Sequence, residues 1–370
     1  MTFLFLGVIL TFIATVVIFM RLPLFGSKPS GGRLELIQQS PNYRNGAFQN
    51  QSETPSLTDG ATYASVMREF FLERKKSVAP PQQLPSMKTD LLLLDRKDEV
   101  LVWFGHSSYF MQVDGKRILV DPVLSGHASP FSFTTKAFPG SDRYTPADIP
   151  EIDYLFISHD HWDHLDYKAM KALKPKIKQV ICSLGTGAHL ERWGYDKRII
   201  LEKDWYQEIT LGNGFVAHTV PARHFSGRGF KRNMAMWTSF ALKTPSMNIF
   251  IGGDSGYDKH FAEAGSTYGP FDLAILECGQ YSKNWKHIHM LPDEVLQAAK
   301  DLNAKRLLPV HSSKFALSTH DWDAPLSTLT ELNKKEGVSM VTPMIGERVD
   351  LKDMGQEFSK WWALSDKLIG

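Results

Sequence analysis

The chain has 370 residues, enough for one large catalytic domain or two modest ones. Hydrophobic residues make up 43% of the sequence, which is typical of globular proteins and excludes an intrinsically disordered chain. The 42 Lys and Arg residues nearly balance the 40 Asp and Glu residues, leaving a formal net charge of +2. Without a net basic field, we do not expect a nucleic-acid partner.

The two cysteines, Cys182 and Cys278, lie far apart and form no CxxC pair. This spacing excludes a cysteine-rich zinc site and argues against a disulfide framework. We therefore expect both thiols to act as small apolar side chains.

Residues 1–25 contain an uncharged apolar run, FLFLGVILTFIATVVIFM, from Phe3 to Met20. A run of about 18 apolar residues is long enough to cross a bilayer as a helix. The alternative is a cleaved signal peptide, but no Lys or Arg precedes the run and no A-x-A site follows it. We predict a single-pass anchor, and the basic residues after it (Arg21, Lys28, Arg33) favour a catalytic domain on the cytoplasmic side.

Residues 26–95 form a lead-in segment rich in Gly, Pro, Ser, Asn and Gln. Within it, Ala61–Lys76 carries apolar residues at helical spacing, which predicts one amphipathic helix. We expect Phe70, Phe71 and Leu72 to pack on the main domain. A helix lying on a membrane surface is the alternative.

Residues 96–370 alternate short apolar runs with turns and helical patterns, which predicts one layered α/β catalytic domain with helices on the outer faces of its sheets. Asp114-Gly115 between two apolar runs predicts a hairpin. The runs predicted as strands are Val100–Phe104, Tyr109–Val113, Arg117–Val120, Tyr154–Ser158, Gln179–Cys182, Phe215–Val220, Asn248–Ile251 and Arg306–Val310. The predicted helices are Lys168–Leu173, Pro292–Leu302 and Leu326–Lys335.

A dense cluster of histidines and aspartates, SHDHWDHLD, occupies residues 158–166, directly after the apolar run EIDYLFIS. The cluster therefore lies on a loop at the carboxyl end of a strand, where ligand sites commonly form. Imidazole and carboxylate groups are suitable ligands for zinc, iron or manganese. A solvated polar loop is the alternative, but three histidines and three aspartates so closely spaced favour a metal site.

The pattern HxHxDH in this cluster is the signature of the metallo-β-lactamase superfamily. A longer stretch, roughly Leu101 to Phe315, resembles N-acyl-phosphatidylethanolamine-hydrolysing phospholipase D and its bacterial relatives. The resemblance rests on GHSSYFM, ILVDPVLSGHASP, ISHDHWDHLDY, GGDSGY, GPFDLAIL and PVHSSKFAL, which occur in the family's order. It implies a four-layer αββα metallo-β-lactamase fold, here preceded by a transmembrane helix.

The resemblance also implies a centre of two Zn²⁺ ions, with other divalent metals possible, held by seven side chains. Those expected to bind the first ion are His159, His161 and His224. Those expected to bind the second are Asp163, His164 and His311, with Asp254 bridging both. Such a pair of ions activates a shared hydroxide as the nucleophile, so no side-chain nucleophile is needed.

Other residues are candidates for supporting roles. Asp163 is expected to orient the hydroxide, and His289 to stabilise or protonate the departing oxygen, with His287 as its competitor. Asp121 would support a metal-binding histidine or cap the turn before Pro122. His106 would form a structural hydrogen bond or contact substrate.

A bilayer-tethered hydrolase meets lipids at high local concentration, so we expect a membrane phospholipase D-type phosphodiesterase acting on N-acylated or related phosphatidylethanolamine. A carboxylic ester, lactone or soluble phosphodiester hydrolase is the enzymatic alternative, because the fold does not determine the substrate. A non-catalytic membrane scaffold is the alternative of another class. Aromatic residues that line an acyl channel or belong to the core are Phe131, Phe133, Trp162, Phe225, Trp237, Tyr281 and Trp285.

Overall fold

The computed structural model describes residues 2–58, 60–73 and 76–363. Its α-helices are α1 Thr2–Met20, α2 Gly32–Gln39, α3 Tyr63–Phe71, α4 Tyr167–Leu173, α5 Gly187–Arg192, α6 His260–Tyr268, α7 Pro292–Asp301 and α8 Ala324–Glu336. Its strands are β1 Tyr43–Arg44, β2 Ala47–Phe48, β3 Val100–Trp103, β4 Tyr109–Val113, β5 Lys116–Val120, β6 Ile152–Ile157, β7 Ile177–Ser183, β8 Ile200–Lys203, β9 Glu208–Gly212, β10 Phe215–Val220, β11 Ser239–Lys243, β12 Asn248–Ile251, β13 Leu273–Glu277, β14 Leu307–Val310 and β15 Arg348–Asp350.

Two large mixed sheets form the centre of the catalytic region. One sheet has seven strands in the order β15-β3-β4-β5-β6-β7-β8, and the other has six in the order β14-β13-β12-β11-β10-β9. In each sheet one half is an antiparallel meander, and the other half is parallel: β5 to β8 in the first, and β12 to β14 in the second. Parallel strands place their carboxyl ends at one edge, which is where the loops that carry candidate ligands begin.

The main core lies between the two sheets. Phe156 of β6 and Phe240 of β11 meet edge to face, with ring centroids 5.1 Å apart, and both are fully buried. Helices α4 and α5 cover the outer face of the seven-stranded sheet, and α6, α7 and α8 cover the outer face of the six-stranded one. This arrangement agrees with the predicted four-layer αββα fold.

The predicted hairpin is confirmed at Asp114-Gly115. Val113 pairs with Lys116 across the turn, and the two turn residues have φ values of 48° and 72°. Positive φ at both central positions is the geometry that suits the right-handed twist of the flanking strands. Both cysteines are buried and free, as expected from their spacing.

Several elements were not identified from the sequence. Strands β8, β9, β11 and β15 and helices α2, α5 and α6 are short or interrupted by charged residues, so their apolar periodicity is weak. β9, for example, has only 5 residues. Pairing with neighbouring strands, rather than local pattern, establishes these elements.

The predicted amphipathic helix is shorter than expected. It begins after Thr62, whose hydroxyl accepts a hydrogen bond from the Ser65 N–H, and ends at Phe71, while residues 74 and 75 of the predicted extension lie outside the described residues. Phe70 stacks on Trp285, with ring centroids 5.9 Å apart. The expectation that Phe71 and Leu72 pack on the domain was wrong, because they are 74% and 81% exposed.

The lead-in segment lies along the catalytic region. Backbone N–H groups of Phe48, Leu84 and Met87 donate to carbonyls of the main domain at 2.8–2.9 Å. The predicted boundaries at residues 25/26 and 95/96 stay predictions. Backbone hydrogen bonds join the residues on either side of the second boundary. Helix α1 by contrast is exposed to solvent along most of its length. Its span Phe3–Met20 has a mean hydropathy of 2.8 and is 0% buried.

We predict that Phe240→Ala lowers the free energy of unfolding by about 3–5 kcal/mol, because it opens a cavity between the two sheets. Urea unfolding of the detergent-solubilised chain measures this change. Phe133→Ala is the matched control, since Phe133 is 72% exposed and its loss should cost less than about 0.5 kcal/mol. Equal destabilisation by the two substitutions would contradict the assignment of the core.

Candidate metal centre

The candidate ligands lie on loops that follow strands from both sheets. The loop 158–166 follows β6, and His224, Asp254 and His311 follow β10, β12 and β14. Gly253 has a φ of 60°, and a Cβ there would lie 2.8 Å from the Ser158 Cβ. The absence of a side chain at this glycine lets the Asp254 loop approach the histidine-rich loop closely.

Three histidines and one aspartate form a first group, with ligand atoms within 4.8 Å of one another. His161 Nδ1 lies 2.9 Å from His159 Nε2 and 3.2 Å from His224 Nε2. Asp254 Oδ2 lies 3.8 Å from His159 Nε2 and 3.7 Å from His224 Nε2. These four side chains could hold one metal ion.

A second group contains Asp163, His164 and His311, joined by His106. Asp163 Oδ2 lies 3.6 Å from His164 Nε2 and 2.8 Å from His106 Nε2. The Asp254 carboxylate lies between the two groups, with Oδ2 3.1 Å from His164 Nε2 and Oδ1 3.1 Å from His311 Nδ1. The structure thus brings together all seven side chains that the sequence analysis singled out.

The donor set fits divalent cations. Asp254 is 3% exposed, and its Oδ1 has no hydrogen-bond partner among the described residues. Burial outweighs the opposing effect of His164 and raises the pKa of Asp254 to about 6. Burial also lowers the pKa values of His159, His224 and His311 well below the ordinary range, which favours the neutral imidazole that binds metals.

In the second group, the pKa values of His164 and Asp163 are shifted in opposite directions. Burial alone would lower the pKa of His164, but Asp254 and Asp163 raise it well above its ordinary value. Burial likewise opposes ionisation of Asp163, yet His164 and His106 hold the pKa of this carboxyl well below its usual range. Asp163 is therefore a charged ligand candidate.

Comparisons with known proteins agree with this geometry. Residues 116–312 match the family described as the Beta-lactamase superfamily domain.

The chain belongs to the metallo-β-lactamase superfamily of metal-dependent hydrolases.

Relatives include an uncharacterized protein of Mycobacterium tuberculosis, 36% identical over 336 residues that cover 88% of each chain. N-acyl-phosphatidylethanolamine-hydrolyzing phospholipase D 1 of Caenorhabditis elegans is 29% identical over 291 residues, covering 72% of this chain and 76% of that one. The structure of Igni18, a metallo hydrolase from Ignicoccus hospitalis, superposes with a TM-score of 0.52 at 21% identity, covering 68% of this chain and 97% of that one. This last likeness shows the fold.

Asp121 contacts His164 of the second group on the side of its ring away from Asp254. Its carboxylate lies 2.8 Å from His164 Nδ1 and accepts hydrogen bonds from the N–H and hydroxyl of Ser158 at 2.9 and 2.6 Å. Engaging Nδ1 leaves His164 Nε2 directed at Asp254. Of the two roles predicted for Asp121, the structure places it in the supporting one.

Three residues in and around the candidate centre have a strained backbone conformation. His106, Asp121 and His311 have φ values of 53°, 41° and 66°, a conformation that costs a non-glycine residue about 1–3 kcal/mol. The turns carrying His106 and His311 stabilise each other, because the His311 N–H donates to the His106 carbonyl at 2.9 Å and the His106 N–H donates to the Ser312 carbonyl at 2.8 Å. These bonds join the two sheets at the centre.

His289 lies beside the centre, and a residue that the sequence analysis missed orients it. The His289 Nδ1 is 2.5 Å from Glu277 Oε2, while Glu277 Oε1 accepts the N–H groups of Ser255 and Met290 at 3.1 and 3.0 Å. His289 Nε2 is the nitrogen left available. The signal for Glu277 was an acidic residue at the end of the buried run LAILE.

A cleft of about 360 Å³ opens onto the centre. His161, Asp163, Asp254 and His289 line it, whereas His106 and His287 do not. His106 therefore takes the hydrogen-bonding role among its two alternatives. Of the predicted channel aromatics only Phe225 and Trp285 line this cleft, and Trp237 belongs to the core.

The lead-in segment closes one side of the cleft. Asn50, Thr54, Ser56 and Tyr63 line it. Asn50 accepts the His224 N–H at 3.1 Å and donates to the His224 carbonyl at 2.8 Å. No local pattern in the Gly- and Ser-rich lead-in indicated this role, since it depends on a contact 174 residues apart.

We predict that Asp121→Asn weakens metal retention by roughly 10–100-fold, because it removes the carboxylate that orients His164. Chelator competition followed by elemental analysis measures the change. Asp90→Asn, at an exposed aspartate that does not line the cleft, is the control. Retention unchanged by Asp121→Asn would mean that His164 is not a ligand that needs this support.

Proposed function

We propose that this protein is a membrane-anchored dinuclear-metal phosphodiesterase of phospholipase D type, acting on N-acylated or related phosphatidylethanolamine. The observation that carries the proposal is the position of the buried Asp254 carboxylate, which belongs to the first ligand group and lies 3.1 Å from His164 and His311 of the second. The phospholipase D named among the relatives supports the reaction class. A scaffold without activity is disfavoured, because every expected ligand position holds a suitable side chain.

The ligands proposed for one ion are His159, His161 and His224, and for the other Asp163, His164 and His311, with Asp254 shared. Two zinc ions, or other divalent metals, would lower the pKa of a water molecule and offset charge on the phosphoryl oxygens. Asp163 lines the cleft and receives a hydrogen bond at Oδ2 from His106. Its Oδ1 is available to accept a hydrogen bond from the attacking water and so to orient it, and the proton that the water loses passes to solvent.

His289 is the proposed proton donor. Water attacks phosphorus, the bond from phosphorus to the ethanolamine oxygen breaks, and the departing alkoxide takes a proton from His289 Nε2. Glu277 engages Nδ1 and so fixes the imidazole plane and the nitrogen that carries this proton. The products are an N-acylethanolamine and a phosphatidic acid.

The surroundings of the cleft support a lipid substrate. A volume of about 360 Å³ accommodates a headgroup but not two acyl chains as well. Helix α3 borders the mouth through Tyr63 and exposes a stripe at i, i+4 and i+8: Tyr63, Met67 and Phe71 are 69%, 56% and 74% exposed. This stripe offers apolar surface to acyl chains or to the bilayer that contains them.

Helix α1 is the proposed anchor. Its apolar span has the length of the hydrocarbon core, and its exposed side chains have no protein partner along most of the helix. The basic residues that follow it favour a catalytic domain on the cytoplasmic side. A cleaved signal sequence is the competing interpretation, and the amino-terminal sequence of the mature protein distinguishes the two.

We expect Asp254→Asn to abolish release of N-acylethanolamine from mixed micelles of N-acyl-phosphatidylethanolamine, a loss of at least about 10³-fold, because the shared carboxylate is removed. Chelation of the wild type should give the same loss, and Zn²⁺ should restore activity. Elemental analysis should find about two metal equivalents in the wild type.

The same assay separates the enzymatic alternatives. Turnover of a lactone or a soluble phosphodiester exceeding that of the lipid would reject the proposed substrate while retaining the metal centre. Unchanged turnover by Asp254→Asn would reject the centre itself.

We expect His289→Gln to lower kcat by about 10²–10⁴-fold with little change in metal content, because a general acid is lost. His287→Gln is the matched control, since His287 does not line the cleft, and it should keep most activity. A substrate analogue with an acidic phenol as leaving group needs no protonation and should be far less sensitive to His289→Gln. Equal losses with both substrates would contradict the proton-donor role.

A further inference from the structure

A second cavity, of about 710 Å³, lies where helix α1 meets the catalytic domain. Among the described residues, none lines both this cavity and the metal cleft. One wall is the last turn of α1, with Val16, Val17 and Met20, and Phe25 and Phe230 extend this apolar wall. The cavity is therefore a site separate from the proposed active site.

The lining of the cavity is also basic. Five cationic side chains line the cavity, against a single carboxylate, Asp160. The cationic side chains are Arg21, Lys28, Arg192, Arg228 and Lys231. Asp160 is already engaged, since it accepts the Gly227 N–H at 2.6 Å and lies 3.1 Å from His189 Nε2. The cavity thus carries an excess of positive charge.

Hydrogen bonds from two arginines hold the walls of the cavity in position. Arg192 donates to the carbonyls of Arg21 and Gly26 at 2.5 and 2.7 Å, and Arg228 donates to the Leu24 carbonyl at 2.9 Å. These bonds clamp the chain as it leaves α1. Gly26 permits this path, because a Cβ there would lie 1.8 Å from His189 Nδ1. The cavity is consequently a built feature of the domain.

Three cations remain available to a ligand. Among the described residues, the side chains of Arg21, Lys28 and Lys231 form no ion pair or hydrogen bond. Arg228 is 4% exposed, and its charge is already stabilised by the nearby Asp160 carboxylate and by the Trp162 ring 3.8 Å away. An anion in the cavity would instead pair with Arg21, Lys28 and Lys231.

The position of the cavity identifies the source of that anion. An α1 span of 18 residues is about 27 Å long at roughly 1.5 Å per residue, close to the thickness of the hydrocarbon core. Arg21, the first residue after α1, then lies at the level of the phospholipid headgroups. A ligand here has its phosphate on the basic wall and its acyl chains along Val16, Val17 and Met20.

We propose that this cavity binds the headgroup of an anionic phospholipid from the leaflet in which α1 ends. The inference rests on the proposed membrane anchor but not on the proposed hydrolysis. The bound lipid is a ligand of the anchor region and not the substrate. It contacts the domain beside Asp160, between the candidate metal ligands His159 and His161.

The first test uses the full chain in nanodiscs of phosphatidylcholine containing phosphatidylglycerol, followed by detergent exchange and native mass spectrometry. We expect one retained phosphatidylglycerol per chain. Lys28→Ala/Lys231→Ala should weaken this retention roughly tenfold or more, because each basic residue near a membrane surface attracts anionic lipid. Lys97→Ala/Lys243→Ala removes two exposed lysines that do not line the cavity and should have no effect.

A second variant separates a built site from general attraction between basic residues and the membrane. Val17→Trp fills the apolar wall but keeps every charge, and it should abolish the retained lipid. Ile13→Trp, one turn further along the exposed helix, should not. Retention unaffected by Val17→Trp would overturn the cavity as the binding site.

The remaining outcomes distinguish the sources of the anion and the two proposals. Displacement of the lipid by millimolar inorganic phosphate would identify a free-phosphate site and overturn the lipid assignment. Asp254→Asn should retain the lipid fully, even though it abolishes the proposed hydrolysis. Extraction of the chain by alkaline carbonate would refute the anchor, and with it this inference, while leaving the metal centre untouched.

Discussion

The rest of the structure depends on a buried carboxylate, Asp254, surrounded by imidazoles. Removing an ionised carboxylate from water is costly unless a cation or a proton compensates it. Here burial raises the pKa of Asp254, while the neighbouring histidines His159, His224 and His311 are held neutral. His164 offsets part of the charge of this carboxylate, and the neutral imidazoles are ligands for divalent ions that could offset the rest. The electrostatics of the site and its donor chemistry therefore favour the same occupant.

Two sheets are needed to build this arrangement. The loop 158–166 comes from one sheet, and Asp254 and His311 come from the other. The turns at His106 and His311 have strained φ values and exchange backbone hydrogen bonds where the two sheets meet. These hydrogen bonds and the packing of the two sheets offset the free-energy cost of the strained conformation. A site held this way keeps its geometry without relying on flexible loops, which is what stabilisation of a charged transition state requires.

The residues before the catalytic domain are part of the functional architecture. The lead-in supplies Asn50, which fixes the backbone of His224, and Tyr63, which lines the cleft. The chain between α1 and the lead-in is held by Arg192 and Arg228, and Arg228 also donates to the carbonyls of Asp160 and Leu165 in the histidine-rich loop. On our proposals, the anchor, the lipid cavity and the metal centre are thus connected through the hydrogen bonds that Arg192 and Arg228 donate to backbone carbonyls.

The sequence by itself indicated the superfamily through the local motif HxHxDH, and the resemblance to that superfamily implied the layered fold and the seven candidate ligands. It also determined the hairpin at Asp114-Gly115 and the apolar span of α1. Only the tertiary structure decided the roles of Glu277, Asn50 and Arg228, and the exposure of Phe71 and Leu72. These properties depend on contacts between residues distant in sequence, and neither periodicity nor spacing carries information about such contacts.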